Sequence, residues 1–284
     1  MKRYWAIADI HGEYALLLRL FDEMQKNGFD FEKGDVIVQL GDRNDRGPDT
    51  YSINEWFKTQ QLMWKGQVIC LMGNHDRMLI DAALGRSDLM YWNGGQATEK
   101  SYSKITGIYG KNGLGNSLMR AGHWDWLRNL PTYYETDQYF FSHAPIPKEQ
   151  YRDIPVGSDF RLDEHTLTWS YNDLPERKWI DPNLIPIAED GNYQGNHKIC
   201  CYGHIHGMSW DAKNLKYRIP GVRKYGNAIL LDTGAGCSKE GYLTCIRLPD
   251  LLVMNSNGES YQLKDTEDST YDTSKEIPDD KVQF

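Results

Sequence analysis

The chain contains no apolar run long enough to cross a membrane. A spanning helix needs about 20 consecutive apolar residues, and no segment of the 284-residue sequence approaches that length. The first apolar stretch, residues 4–8, ends at Asp9 and is shorter than the apolar region of a signal peptide. We therefore expect a cytoplasmic protein that has no membrane partner.

Cysteine is scarce and is not arranged for cross-linking or zinc binding. The five cysteines are an odd number, and no two of them form a Cys-x-x-Cys pair. Cys70 and Cys245 lie in apolar, strand-like segments, where a reduced cysteine behaves as a small hydrophobic residue. We expect neither a disulfide framework nor a thiolate zinc site.

Basic residues are outnumbered by acidic ones. The sequence holds 32 Lys and Arg against 40 Asp and Glu, a formal net charge of -8. General nucleic-acid binding depends on clustered Lys and Arg, so we expect no nucleic-acid partner. Any phosphate group must instead be bound locally, by a few cations or metal ions in a cleft.

The length and the 40% hydrophobic content suit one α/β domain, or at most two small ones. Helical spacing predicts helices over residues 14–24 and 50–63. We expect strands over residues 4–8, 36–40, 67–72, 139–143 and 199–204. Polar loops follow the first three strands, and layered α/β sheets place ligands in such loops. Residues 77–130 are predicted to form a largely helical insert, and residues 148–196 show no clear pattern.

The C-terminal part combines two apolar segments with a polar tail. Residues 228–232 and 242–248 look like a hairpin of strands that closes the domain, which we place at residues 1–254. Residues 255–284 are polar and acidic, and we expect this tail to be partly disordered. The sequence has no heptads and therefore indicates no oligomeric state.

Metal-binding residue types follow five separate strand-like segments. The motifs are DIHG (9–12), GDRNDRG (41–47), GNHD (73–76), SHA (142–144) and GHIHG (203–207). Five of the eight histidines lie in these motifs. Imidazole and carboxylate together suit Mn, Fe and Zn better than Ca. Two such cations about 3.5–4 Å apart can clamp a phosphoryl group and activate water.

The ordered motifs resemble those of the calcineurin-like metallophosphoesterases, and within them the bacterial and phage branch of the PPP serine/threonine protein phosphatases. Segments WNGGQAT (92–98) and LDTGA (231–235) extend the resemblance to about residues 4–248. It implies an α/β fold, a β-sandwich flanked by helices in four layers (α/β/β/α), with a dimetal site at the strand ends. It also implies direct attack on phosphorus by a metal-bridging hydroxide.

The resemblance assigns metal ligands by position. It implies two divalent metal ions, Mn²⁺ in the first place, with Fe or Zn as alternatives. Asp9 and His11 correspond to ligands of the first metal, and Asp42 to the bridging ligand. The expected ligands of the second metal are Asn74, His143 and His204.

The resemblance also assigns catalytic groups. His75 corresponds to the acid that protonates the leaving alkoxide, and Asp45 to the group that bonds to His75 and keeps it cationic. Arg46 corresponds to the group that binds phosphate oxygens, which suit a guanidinium fork. Asn74 is also expected near the substrate.

Three positions depart from the family pattern. Asp76 replaces the usual Glu after the catalytic His. The late motif reads GHIH instead of GHT, so His206 is either a further ligand of the first metal or a residue that faces the substrate. Tyr171 stands where phage-type relatives have a second phosphate-binding Arg, and it is our remaining substrate-binding candidate. We considered Arg161, Arg177 and Arg223 as substitutes for that Arg.

The substrate is a phosphorylated protein or a small phosphoester. A phosphoserine/phosphothreonine phosphatase is the first hypothesis, which Asp45 favours. The alternative is a dinucleoside-polyphosphate hydrolase of the diadenosine tetraphosphatase type, whose members typically lack this Asp. A non-catalytic binding protein is the third, and the intact set of expected ligands argues against it. His123, His165 and His197 are expected to be structural or solvent-exposed.

Overall fold

The computed structural model describes residues 2–144, 198–205, 209–211, 216–218, 221–225 and 228–264. Its helices are α1 (Tyr14–Lys26), α2 (Thr50–Met63), α3 (Asn74–Ala83), α4 (Leu89–Trp92), α5 (Gln96–Thr106), α6 (Leu114–Arg120) and α7 (Trp124–Arg128). Its first strands are β1 (Tyr4–Ile7), β2 (Val36–Gln39), β3 (Val68–Cys70), β4 (Tyr133–Glu135) and β5 (Tyr139–Ser142). The later strands are β6 (Ile199–Tyr202), β7 (Ser209–Asp211), β8 (Lys216–Arg218), β9 (Arg223–Tyr225), β10 (Ala228–Leu230), β11 (Thr244–Leu248), β12 (Leu252–Asn255) and β13 (Ser260–Gln262).

Two mixed sheets form the centre of the domain. The first has the strand order β13-β12-β11-β1-β2-β3, and the second has the order β4-β5-β6-β10-β9. Strands β1, β2 and β3 run parallel, as do β5, β6 and β10. Their carboxyl ends supply the loops of the site, as the polar loops after the first three predicted strands suggested.

Strand β1 shows how the layers are held together. Successive side chains of a strand point to opposite faces of the sheet. Tyr4 and Ala6 therefore lie in the hydrophobic core between the two sheets, while Trp5 and Ile7 lie in the core between the first sheet and the helices. Because both faces are buried, the strand is apolar throughout, which is why it reads as an unbroken run in the sequence.

The helices of the described residues pack, directly or through one another, on the outer face of the first sheet. Helix α1 contacts β11 and β12, and α2 contacts β3. A layered α/β fold is thus confirmed. Of the two outer helical layers that we expected, the described residues show the one that packs on the first sheet. No helix in the described part of the chain is long and apolar enough to span a bilayer.

The helix predicted over residues 50–63 is α2, and its start has a clear local cause. Asp49 precedes it in a non-helical conformation, and its carboxylate accepts a hydrogen bond from the N–H of Ser52 at 3.2 Å. This is the capping interaction that aspartate makes at helix N-termini. The helix places Asn54 and Phe57 in the buried interior.

The predicted C-terminal hairpin is wrong. Strand β10 pairs with β6 and β9 in the second sheet, whereas β11 pairs with β1 and β12 in the first. Apolar patterning identifies a strand but does not choose its partner. The connecting segment therefore crosses from one sheet to the other and brings Cys237 to Arg46 and Asp232 close to Asp9, among the predicted ligands.

The first sheet extends past the boundary that we placed at residue 254. Strand β13 pairs with β12, and Leu263 lies in the core between the sheets. Local polarity concealed this strand, because all three of its residues are exposed. The remainder of the expected tail, residues 265–284, lies outside the described residues.

Candidate metal centre

The motif residues from both sheets meet at one edge of the sandwich. The first sheet contributes Asp9 and His11 after β1, the loop with Asp42 after β2, and Asn74 and His75 at the start of α3. The second sheet contributes His143 after β5 and His204 after β6. Two groups of potential ligands each have their donor atoms within 4.8 Å of one another, and they are His11–Asp42–His75 and Asp42–His143–His204.

Asp42 is the residue that the two groups share. Its Oδ2 lies 3.7 Å from His11 Nε2 and 3.4 Å from His143 Nε2. It also lies 3.9 Å from His75 Nε2. A carboxylate in this central position can reach both halves of a dinuclear site.

Asp9 and Asn74 both lie beside His143. Both carboxylate oxygens of Asp9 accept the backbone N–H of His204, at 3.0 and 3.2 Å, and Oδ1 lies 3.8 Å from His143 Nδ1. Asn74 Oδ1 lies 2.8 Å from His143 Nε2. Gly203 lies against Asp9 so closely that a Cβ there would overlap the carboxylate. The backbone of one ligand motif thus touches the side chain of another.

The imidazole rings are oriented for metal binding. His11 Nδ1 lies 2.9 Å from the carbonyl oxygen of Asn44, and His143 Nδ1 lies 2.9 Å from that of Leu40. A carbonyl can only accept, so each Nδ1 carries the proton and each Nε2 lone pair faces the Asp42 carboxylate. Carbonyl or carboxylate partners of this kind are usual behind metal-bound histidines.

The buried carboxylates of Asp9 and Asp42 favour a positive charge at the centre of the cluster. Burial raises the pKa of Asp9 well above its ordinary value, and Asp232 and Asp42 raise it further. Burial alone would raise the pKa of Asp42, but His143, His75 and His11 bring it well below its ordinary value. Buried carboxylates this close together need cations to stay ionised. This donor set of carboxylates, imidazoles and an amide oxygen fits divalent transition metals.

His143 shows the same requirement. Its Nε2 faces two further acceptors, Asn74 Oδ1 and Asp42 Oδ2. Burial lowers the pKa of His143, but Asp42, Asp76 and the hydrogen bond to the Leu40 carbonyl together outweigh burial, so that the net shift is upward. Three acceptor atoms, His143 Nε2, Asn74 Oδ1 and Asp42 Oδ2, thus face one another, and they need a proton or a metal ion between them.

His75 forms a second unit with Asp45. Its Nδ1 lies 2.7 Å from Asp45 Oδ2. The other oxygen of Asp45 accepts a hydrogen bond from the hydroxyl of Thr98 on α5, at 2.8 Å. Thr98 belongs to the WNGGQAT segment, whose part in the site the sequence did not explain. It holds the carboxylate that orients the imidazole.

Arg46 lies between the two units. Its Nη1 is 2.8 Å from His11 Nε2 and 2.6 Å from Cys237 Sγ, and its Nη2 is 3.2 Å from His75 Nε2. The backbone N–H of Arg46 donates to the carbonyl of Gly94 at 3.1 Å. Cys237 was not predicted, because its segment has no metal-type or phosphate-type motif and reaches Arg46 only through the crossover between the sheets.

Backbone strain is concentrated in the site. Six non-glycine residues of the described chain have a positive φ, and five of them are site residues. They are His11 (45°), Asp42 (50°), Asp45 (69°), Arg46 (67°) and His204 (61°). Each such residue costs on the order of 1–3 kcal/mol and persists only where the surrounding structure enforces it. Strained residues cluster at functional sites, so this concentration of strain indicates that these loops form one.

Asp76 is the main positioning residue that the sequence did not identify. Its Oδ2 accepts the backbone N–H groups of Gly73 at 2.9 Å and Asp42 at 3.1 Å, and the side chain of Arg43 at 2.7 Å. Its Oδ1 accepts the side-chain amide of Asn44. Arg43 and Asn44, two polar residues of the GDRNDRG motif that were assigned no role, were the sequence signal that could have pointed to a buried acidic partner.

Of the remaining candidates from the sequence, the structure describes Arg223 and His123. His206, Tyr171, Arg161 and Arg177 are outside the described residues. Arg223 is buried on β9, and its Nη2 donates to the carbonyl of Ile205 at 3.2 Å. His123 is fully buried among α2, α5 and α7, as expected of a structural histidine.

Comparison with known proteins finds relatives that match most of the chain. A family model described as calcineurin-like phosphoesterase matches residues 2–208. The chain is 24% identical to serine/threonine-protein phosphatase 2 of Salmonella typhimurium over 243 residues, which cover 84% of this chain and 89% of that protein. It is 25% identical to the asymmetrical bis(5'-nucleosyl)-tetraphosphatase PrpE of Halalkalibacterium halodurans over 257 residues, which cover 86% of this chain and 89% of that protein.

A solved structure extends the likeness to the fold. The cold-active protein-tyrosine phosphatase of a psychrophilic Shewanella species aligns with a TM-score of 0.59 and 19% identity, and covers 93% of this chain and 81% of that chain. At this identity the likeness shows a shared architecture and leaves the substrate open.

Proposed function

Because the chain belongs to the calcineurin-like phosphoesterase family, we propose that this hydrolase is a metal-dependent phosphatase that acts on phosphoserine and phosphothreonine in proteins. The observation that supports this most directly is the arrangement of His75, Asp45 and Arg46 beside the ligand cluster. His75 Nδ1 bonds to Asp45 at 2.7 Å, and His75 Nε2 lies 3.2 Å from Arg46 Nη2. An acid and a phosphate-binding cation thus stand side by side.

The metal ligands in this proposal are Asp9, His11, Asp42, Asn74, His143 and His204, with Asp42 shared. Two divalent cations, Mn²⁺ in the first place, would neutralise phosphate charge and make water nucleophilic when bound there. The carboxylates and neutral imidazoles of this set match the preferences of Mn²⁺, Fe²⁺ and Zn²⁺.

The remaining steps fall to protein side chains. Arg46 donates two hydrogen bonds to phosphate oxygens, which a guanidinium does in one plane. In the structure its Nη2 points to His75 Nε2. A phosphate between the two side chains would draw Arg46 away and leave Nε2 free to carry a proton. His75 then delivers that proton to the leaving oxygen, while Asp45 stabilises the imidazolium.

Asp45 favours a protein phosphatase over the alternative. It is buried and serves as the partner of His75, and the resemblance associates an Asp at this position with protein phosphatases. Dinucleoside-polyphosphate hydrolysis is a second candidate, since the Halalkalibacterium relative covers 86% of this chain. A nucleotide leaving group needs less help from an acid than a serine alkoxide, because a phosphate anion is the weaker base.

The first test measures hydrolysis of para-nitrophenyl phosphate by metal-free protein to which Mn²⁺ is added. We expect metal-dependent turnover that Asp42→Asn and His75→Asn each reduce by at least 100-fold. A matched control is Asp35→Asn, because Asp35 immediately precedes β2 and is buried against Arg3, at the opposite end of the strand from Asp42. This variant should lose stability and keep its turnover.

A substrate panel then separates the two candidates. Phosphoserine and phosphothreonine peptides should be hydrolysed with higher kcat/KM than diadenosine tetraphosphate. The reverse order would replace the first candidate by the second. Absence of turnover with Mn²⁺, Fe²⁺, Zn²⁺ and Ni²⁺ on every substrate would contradict both.

A further inference from the structure

A buried chain of hydrogen bonds links the surface of α2 to the loop after β2. Glu55 Oε2 lies 2.8 Å from His123 Nε2, and His123 Nδ1 lies 2.8 Å from the hydroxyl of Tyr102. Asn54 Nδ2 lies 2.9 Å from that hydroxyl and 3.0 Å from Asn44 Oδ1. All members except Glu55 are fully buried. The chain starts at a half-exposed carboxylate and ends inside a ligand motif.

The direction of donation is set at the inner end. The amide nitrogen of Asn44 faces the Asp76 carboxylate, which only accepts. Asn44 Oδ1 therefore faces the next member of the chain, so Asn54 must present its amide nitrogen. One N–H of Asn54 is used on Asn44, and the other points at the Tyr102 oxygen.

The hydrogen bonds at the outer end determine which nitrogen of His123 carries the proton. Since the Tyr102 oxygen accepts from Asn54, its own O–H is free to donate to His123 Nδ1. His123 must then carry its proton on Nε2, where the Glu55 carboxylate accepts it. Each hydrogen bond along the chain has both a donor and an acceptor only when His123 is neutral, because a proton on Nδ1 would leave the Tyr102 O–H without an acceptor.

The surroundings of His123 agree with a neutral ring. Burial lowers its pKa, Glu55 opposes that shift and Lys58 adds to it. Tyr51 on α2 and Tyr102 on α5 are the other titratable groups whose rings pack against it. Tyrosine is uncharged at neutral pH, so Glu55 and Lys58 are the charged groups that face this histidine.

At its inner end the chain reaches a metal ligand. The Asn44 carbonyl accepts the Nδ1–H of His11 at 2.9 Å and so determines which ring nitrogen faces Asp42. The Asn44 side chain is held from both sides, by Asp76 and by Asn54. A shift of this side chain would move the carbonyl and rotate the His11 ring.

We propose that Asn54, Tyr102 and His123 are positioning residues of the metal centre, which act on His11 through Asn44. None of the three contacts a proposed ligand, and all three lie in the helical layer. Partners that bond directly to a metal-bound histidine typically change metal affinity about 10- to 100-fold when mutated. For residues that are one to three hydrogen bonds further away we expect a loss of metal affinity of about three- to tenfold. This inference rests on the proposed function, because it assumes divalent metal binding at His11.

The test measures Mn²⁺ binding by calorimetry on metal-free protein, without substrate. Tyr102→Phe removes one hydroxyl and breaks the chain at its middle. We expect a three- to tenfold increase in the Mn²⁺ Kd. The matched control is Ser117→Ala, which removes another buried hydroxyl, the partner of Thr106 at 3.0 Å, between α5 and α6. Ser117→Ala should lower Tm by about as much as Tyr102→Phe does, and it should leave the Mn²⁺ Kd within twofold of wild type.

A second pair of variants tests the same point at His123. His123→Asn keeps an acceptor near the position of Nδ1, whereas His123→Leu keeps volume alone. We expect Mn²⁺ Kd within twofold of wild type for His123→Asn and a three- to tenfold increase for His123→Leu. This pair also serves if Tyr102→Phe does not fold.

The inference is overturned if Tyr102→Phe, or failing that His123→Leu, binds Mn²⁺ within twofold of wild type while losing as much Tm as Ser117→Ala. The chain would then only stabilise the helical layer. The outcome is independent of the proposed reaction. A wild type that binds Mn²⁺ but hydrolyses no phosphoester contradicts the proposed function and leaves this comparison intact.

Discussion

The backbone N–H of Asp42 donates a hydrogen bond to Asp76 Oδ2 at 3.1 Å. The residue at the middle of the ligand cluster is thus held by a carboxylate that is outside the ligand set. The same oxygen accepts the N–H of Gly73 at 2.9 Å. Since Asp42 follows β2 and Gly73 follows β3, Asp76 ties two neighbouring ligand loops together.

Asp76→Asn should therefore damage both stability and metal binding. Asp76 is paired with Arg43 at 2.7 Å, and both are fully buried. Removing one partner of such a pair typically costs about 3–5 kcal/mol, because the other charge stays buried and unpaired. Urea unfolding of the metal-free protein should show this loss, and calorimetry should show weaker Mn²⁺ binding.

The control for this substitution lies on the same helix. Asp81 pairs with Arg77 at 3.1 Å in a partly exposed i,i+4 arrangement. Exposed pairs contribute about 0.2–1 kcal/mol, so Asp81→Asn should lower the free energy of unfolding by an amount in this range. It should leave Mn²⁺ binding unchanged. If the two variants lose equal amounts of unfolding free energy and of Mn²⁺ affinity, Asp76 has no special role.

Thr98→Val should lower kcat more than it raises KM. The variant keeps the shape of the side chain but removes the hydroxyl that bonds to Asp45 at 2.8 Å. His75 is then less well oriented, and we expect a decrease in kcat of about tenfold, a part of the 10²–10⁴-fold that a general acid contributes. Thr98→Ser should recover most of the activity. Thr106→Val, a buried position on the same helix, is the steric control, and an equal decrease in that variant would refute a specific role for Thr98.

Cys237→Ala should raise KM while kcat changes little. Cys237 Sγ accepts from Arg46 Nη1 at 2.6 Å and so helps to hold the guanidinium in place. Because sulfur is a weak acceptor, losing this hydrogen bond should cost on the order of 1 kcal/mol, equivalent to about a fivefold increase in KM. Cys237→Ser retains an acceptor and should stay near wild type. If the serine and alanine variants have the same kinetics, the sulfur does not position Arg46.

The stability of the metal-free protein should depend on the protonation of His123. Burial lowers the pKa of His123 in the folded state, whereas the unfolded chain has a value of about 6.5. Between the two values the unfolded state binds more protons, so stability is lost as pH falls below about 6.5. The free energy of unfolding of wild type relative to His123→Asn should therefore decrease from pH 7.5 to pH 5.5. A difference that is constant with pH would show that His123 does not titrate in this range.

The strand ends and their ligand motifs were accessible from the sequence because they depend on local pattern. Apolar runs at Val36–Gln39 and Val68–Cys70 stop where a ligand motif begins. Such runs are strands in parallel sheets that are buried on both faces. Parallel strands bring their carboxyl ends to one edge, so that Asp42 and His75 become neighbours without any knowledge of side-chain packing.

The supporting residues were not accessible in this way. Thr98 bonds to Asp45 across 53 positions, and Arg46 bonds to Cys237 across 191. These distances in the sequence are closed only by packing α5 against the ligand loop and by the crossover between the sheets. Local sequence has no signal for a hydroxyl or a thiol that acts as a hydrogen-bond partner at such a range.

The sequence by itself determined the apolar strands, the glycine-flanked motifs after them and the chemistry that those motifs favour, because each depends on neighbouring residues. Tertiary structure alone decided that β10 and β11 join different sheets. It also decided which ring nitrogen of His11 faces Asp42, because the Asn44 carbonyl is brought to Nδ1 by the loop after β2. The physical reason is that burial removes water as an alternative partner, so most buried polar groups find their hydrogen bonds within the protein.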